Sequence, residues 1–154
     1  MGAQAPVPIV AARDIRVLTA VLNIKSSHWL STVSEQLNQA NFQSTLHLIR
    51  AHWRGWHIIL FLDRHPAHRA GRSRQLAHPL GIQLRWLPTA CPELNPVDHL
   101  WRHLTQQILA NEPTPSLDKA IQRAQGYLAS LTPHERLQKA GVCSHSFWLA
   151  NLIH

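Results

Sequence analysis

His57-Ile58-Ile59-Leu60-Phe61-Leu62-Asp63 is a near-continuous apolar run that ends on a carboxylate. A run of that kind fits a strand covered on both faces in an α/β sheet. Sites in open α/β sheets lie beyond the carboxyl ends of strands, and Asp63 stands at such an end. A second stretch, Leu87-Pro88-Thr89-Ala90-Cys91-Pro92-Glu93-Leu94-Asn95-Pro96-Val97-Asp98-His99-Leu100-Trp101, places Asp98 on the first turn of a helix. There Asn95 is the N-cap, Pro96 the first helical residue and Asp98 about the third. Two acids so placed can converge on one divalent cation, a geometry suited to phosphodiester chemistry. Each also has a plain structural reading, Asp63 as a cap on the next turn and Asp98 as an acid favoured by the helix dipole.

The rest of the chain reads outward from these two stretches. Residues 1–13, with two prolines and several small residues, read as an extended lead-in. Residues 15–22 and 28–33 read as a hairpin with a turn at 23–27. Phe42, Leu46, Ile49 and Trp53 form a helical stripe over 41–53, stopped by Gly55. After the 57–62 strand come an Arg-rich helix over 69–80, a strand over 82–87 and the helix from Asn95 to about Ala110. Residues 111–115 read as a linker, Ser116 caps a helix to about Ser130, and Pro133 opens a last helical piece. This order predicts an α/β fold with a mixed sheet.

Composition bounds the partners. The 154 residues hold 15 Lys and Arg against 8 Asp and Glu, a formal charge of +7, and twelve of the cations are Arg. Arg suits two-pronged contact with phosphate, which points to nucleic acid. Arg50, Arg54, Arg64, Arg69, Arg72 and Arg74 gather around the Asp63 strand, with Trp53 and Trp56 expected in the core. Arg64, His68, Arg69, Arg72 and Arg74 are the candidate DNA contacts; for His68 a hydrogen bond near Asp63 is the alternative. Cys91 and Cys143 form no CxxC pair, and His99/His103 and His65/His68 lack the three or four spaced ligands of a zinc site. Glu93 is a second candidate acid in the loop, whereas Asp14 has no geometric case as a ligand. No stretch has the span of roughly 18 apolar residues that a membrane helix needs, and no signal peptide is visible, so the chain is expected to be cytoplasmic.

The two opening stretches resemble the DDE/DDD transposases of bacterial insertion sequences in the mariner superfamily. Leu62-Asp63-Arg64-His65-Pro66-Ala67-His68-Arg69 is similar to the family's strand-end Asp segment, with Arg64 where Asn is common. Leu87-Pro88 through Trp101 is similar to its Pro-Glu-Leu-Asn-Pro signature, with Cys91 where Ser is common. The resemblance covers about residues 2–110, and the 34 residues between Asp63 and Asp98 match the spacing of that family's second and third acids.

The resemblance implies an RNase H-like mixed sheet with flanking helices and metal-dependent DNA strand cleavage and transfer. It implies Asp63 and Asp98 as catalytic metal ligands in a two-metal site for Mg2+ or Mn2+. The implied partners are transposon-end and target DNA, together with a homo-oligomer or the missing N-terminal part. Gly2-Ala3-Gln4-Ala5-Pro6 is similar to a family stretch that follows the first acid, so that acid and the first central strand are expected to be lacking. The expected division is a partial catalytic domain over 1–110 and a C-terminal helical extension over 111–154. A fragment of this kind is expected to be inactive alone. The alternatives are a basic DNA-binding or inhibitory remnant and a nuclease of the same fold with another role.

Overall fold

Among the described residues five strands make one mixed sheet: β1 Gly2–Ala11, β2 Asp14–Asn23, β3 Trp29–Ser34, β4 Ile58–Leu62 and β5 Ile82–Trp86, in the order β3-β2-β1-β4-β5. The structure is a computed structural model that describes residues 2–11, 14–109 and 116–153. β1 pairs antiparallel with β2, and β2 with β3, whereas β1–β4 and β4–β5 are parallel. The helices are α1 Gln39–His52, α2 Pro66–Arg69, α3 Gly71–Ala77, α4 Pro96–Leu104, α5 Leu117–Ser130, α6 Pro133–Lys139 and α7 Ala150–Ile153.

Strand alternation decides the layering. Leu18, Ala20 and Leu22 of β2 enter one core, and Val21 enters the other. On the first face lie Val97, Leu100, Trp101 and Leu104 of α4, spaced as one helical stripe, with Leu117, Ala120, Ile121, Ala124 and Leu128 of α5. On the second lie Phe42, Leu46 and Ile49 of α1 with Ala77 of α3. Ile58, Leu60 and Leu62 of β4 point into this second core. By the two-residue period, Phe61 and then Asp63 turn toward the α4 side. The division expected at residue 110 is one of sequence; in the packing, α5 and Ala140 and Val142 share a single core with β2 and α4.

The central place in the sheet is filled, which corrects the reading of residues 1–13 as a lead-in and of the sheet as lacking its first central strand. β1 sits between β2 and β4, in register Gly2↔Leu60, Ala3↔Phe61 and Gln4↔Leu62. Prolines normally argue against a central strand. Here β4 ends level with Gln4, so the length of β1 beyond it has β2 as its one partner. Pro6 and Pro8, two apart, turn their nitrogens to one side, and the ladder to β2 survives when that side is the one β4 vacates. The segment that fills this place, GAQAPVPIVA, contains neither Asp nor Glu.

Other boundaries shift for local reasons. The helix expected over 69–80 is two pieces, because Ala70 is extended at φ −53°, ψ 138°. The helix from Pro96 is α-helical to Leu104 and continues as a π-turn over Thr105–Leu109. The expected linker 111–115 lies outside the described residues.

Arg136 ties the late helices to the β2–β3 hairpin. It is 7% exposed, donates to Ser27 O, Ser27 Oγ, Leu128 O and Leu131 O, and lies over the Trp29 ring. Leu128 and Leu131 stand at the end of α5, so the cation also satisfies carbonyls that the helix leaves free. Arg136→Ala leaves those buried carbonyls unpaired and is expected to cost roughly 3 kcal/mol. Urea unfolding measures it, and a difference under about 0.5 kcal/mol would contradict this role.

Candidate active site

Asp63 leaves β4 on the α4 side and is held by a short local network. His65 N donates to its Oδ1 at 3.0 Å. His68 Nδ1 lies 2.8 Å from the same oxygen and 3.3 Å from the Asp63 carbonyl. Both neighbours are acceptors, so Nδ1 carries the proton. Pro66 begins α2, which brings His68 back beneath Asp63, and its ring packs 4.5 Å from that of Phe42. His68 is 0% exposed. This corrects its assignment as a DNA contact: the ring faces the core and positions a carboxylate.

Asp98 is fixed by the loop before it. Leu87 N donates to Leu62 O at 2.8 Å, tying that loop to the end of β4. Ala90 then turns at φ 57°, a left-handed conformation that costs an L-residue roughly 1 kcal/mol. Pro92–Leu94 form one 3-10 turn, and buried Asn95 caps α4 by accepting from Val97 N at 3.1 Å. Asp98 N donates to Asn95 O at 3.1 Å. Asn95, Pro96 and Asp98 therefore hold the cap, first-turn and third positions expected of them.

Asp63 and Asp98 line one cleft of about 350 Å³, together with Arg64, His65, Leu87, Pro88, Thr89, Ala90, Cys91, Pro92 and Asn95. Their charges are unequal. Burial pushes the Asp63 carboxyl upward, but the His68 hydrogen bond, the His65 amide and the charges of those two rings hold it below its ordinary value. Among the described residues no such donor reaches Asp98. Burial, and then the charge of Asp63, push it up to about 6, although His99 and Arg102 pull the other way. Glu93, the alternative acid, is exposed, and its carbonyl accepts from His99 Nε2 at 2.7 Å. Asp14 opens β2 opposite Ala11, whereas the end of β4 is level with Gln4 and hence Val21.

The arginines divide. Arg64 lines the acid cleft and also a neighbouring one of about 440 Å³ with Pro66, Arg69, Ala70, Arg74 and Trp86. Arg72 is exposed on α3. Arg50 is occupied inside the fold, donating to Leu80 O, Trp53 O and Trp56 O. Trp56, expected in the core, is 70% exposed. Its backbone is tied to Arg50 just after Gly55 turns at φ 76°, which leaves the side chain outside.

The donor set fits a hard cation. Two carboxylates lining one cleft are what magnesium or manganese takes alongside waters and phosphate oxygens. Among the described residues no cluster of three or more His, Cys, Asp or Glu could hold a metal. Continuing the β1–β4 register one step puts Ala5, not an acid, level with Asp63. Two side chains therefore fit one ion, and a second would need a carboxylate from elsewhere.

The profile of the family described as DDE superfamily endonuclease matches residues 11–121. The fold is similar to the catalytic domain of Mos1 mariner transposase, with TM-score 0.73 at 15% identity, covering 91% of this chain and 74% of that one. A Mos1 catalytic domain solved with raltegravir and Mn gives TM-score 0.74 at 17% identity, covering 91% and 75%. The Mos1 strand transfer complex gives TM-score 0.69 at 16% identity, covering 91% and 49%. No curated protein sequence matches the chain.

The Asp98 shift has a measurable consequence. Its folded value, about 6, exceeds the ordinary 3.8, so the folded state keeps a proton that the unfolded chain releases. Its contribution to stability is complete below the ordinary value and is lost as pH rises through 6. Asp98→Asn is therefore expected to gain on the wild type by about 1 kcal/mol between pH 4 and pH 7, allowing for solvent screening of a half-exposed group. Urea midpoints at the two pH values test this; parallel changes in both proteins would contradict it.

Proposed function

This chain belongs to the DDE superfamily endonuclease family, and from that premise we propose that it is a transposase catalytic domain acting on DNA ends through Asp63 and Asp98. The observation that carries the reading is that these two carboxylates line one cleft and that Arg64 lines both it and a second cleft bearing Arg69 and Arg74. A DNA backbone crossing the arginines would bring a phosphate to the acids. Contacts of that kind position a strand without reading its sequence. Solved Mos1 complexes include one with its left transposon end, which supports transposon-end DNA as the partner here.

A bound Mg2+ or Mn2+ would polarise the phosphate and lower the pKa of an attacking water. Asp63, kept ionised and oriented by His68, and Asp98, carried on the first turn of α4, would be its protein ligands. Arg64, with its Nε on Leu87 O at 3.2 Å, would meet charge building on the phosphate. Thr89, Ala90 and Pro92 would wall the other side of the cleft.

The acid-free β1 favours a second reading. With Gln4 level with Leu62, the chain supplies two carboxylates of the expected three, and a DNA-binding or inhibitory protein needs no third. The two readings part on one experiment, manganese calorimetry followed by DNA binding at several salt concentrations. The enzymatic reading expects saturable manganese heat that Asp63→Asn, Asp98→Asn abolishes, and equal heat from both proteins would overturn it. DNA affinity that falls steeply with salt, without specific manganese heat, would instead support the second reading.

A further inference from the structure

Trp148 lies beyond the segment that the family profile matches, yet it touches Phe61 on the strand that leads to Asp63 and Leu94 in the loop that leads to Asp98. Its Nε1 donates to Leu94 O at 2.9 Å. Its ring meets that of Phe61 edge-on at 5.1 Å, with the planes at 89°. Leu94 ends the 3-10 turn and is followed directly by Asn95, the cap of α4. Phe61 is two residues before Asp63 on the same side of β4. One side chain thus bridges the strand that delivers Asp63 and the loop that delivers Asp98. Phe147 packs beside it at 6.0 Å, and its amide donates to Ser144 O. Leu149 and Phe147 lean on the core below.

The loop needs such a brace. Thr89, Ala90, Pro92 and Glu93 are exposed, and Ala90 holds a left-handed backbone at a cost. Leu87 N is bonded to Leu62 O at one end of the loop, and Asn95 is buried at the other. Between these anchors, the Leu94 carbonyl is held by a side chain 54 residues away in sequence.

We propose that Trp148 is a positioning residue that sets the separation of Asp63 and Asp98, so that the C-terminal segment controls how well the cleft grips a divalent cation. The inference rests on the acid cleft being the metal site. It assigns the segment after α6 a role in the site as well as in the core.

Two substitutions separate the contacts. Trp148→Phe keeps a ring on Phe61 and removes the N–H, whereas Trp148→Ala removes both. The full chain is used, with Tm measured beside two further readouts. The first is amide hydrogen exchange at Glu93, Leu94, Asn95, Val97 and Asp98. Trp148→Phe is expected to speed exchange there several-fold while Tm and exchange in β4 stay near the wild type. The second is manganese affinity by calorimetry, expected to weaken on the order of 3-fold for Trp148→Phe and 10-fold for Trp148→Ala. Unchanged exchange in the Trp148→Phe loop would overturn the brace, even if Trp148→Ala fails to fold. Faster exchange with unchanged manganese affinity would overturn its control of the ion. If the wild type itself binds no manganese, the metal reading fails while exchange still decides whether the brace exists.

Discussion

Two carboxylates that share a half-buried cleft repel each other, and the surrounding structure settles which of them takes up a proton first as pH falls. His68 and the His65 amide stabilise the charge on Asp63, so Asp98, raised first by its own burial and then by that charge, is the one that keeps its proton to higher pH. This asymmetry has a price in stability, since a protein selected for stability alone would not aim two acids at one space. It is tolerated because each acid is delivered by an element with its own reason to exist. β4 is a covered strand whose Ile58, Leu60 and Leu62 fill the second core, and α4 is a capped helix whose stripe fills the first. The acids stand at the end of the one and the start of the other, and line one cleft.

The centre of the sheet carries a different tension. A central strand normally donates and accepts on both edges. β1 overlaps β4 for three residues and pairs with β2 for ten, with both prolines past the end of β4. The hairpin β1–β2 therefore stands as the main unit, and its docking on β4 is short. Asp63 at the end of β4 and the Leu87–Asn95 loop line the cleft in which an ion would be held.

Much of this was legible in sequence, for identifiable reasons. The apolar run 58–62 ending on Asp63 and the Asn95–Pro96–Asp98 start are governed by local rules, burial and capping, so they appear where expected. β1 was hidden because Pro6, Pro8 and small residues carry no strand propensity; only the place where β4 ends makes them acceptable. His68 was legible as near Asp63 but not as buried, since its burial depends on Phe42, 26 positions earlier. Trp56 misled because a large aromatic after a helix usually packs inward, whereas here Arg50 fixes the turn that carries it outward. Trp148 gave no local signal at all. Its partners, Leu94 and Phe61, are far away in sequence, and a C-terminal aromatic reads equally well as plain core.

A shared ion requires Asp63 and Asp98 to lie close enough for an oxygen of each to reach it. Crystals of the protein grown or soaked with manganese at pH 7.5 test it by anomalous scattering. The account predicts a single strong peak between the two carboxylates, within about 2.3 Å of an oxygen from each. Crystals in which manganese binds elsewhere while this cleft stays empty, or in which one carboxylate alone reaches it, would contradict the account.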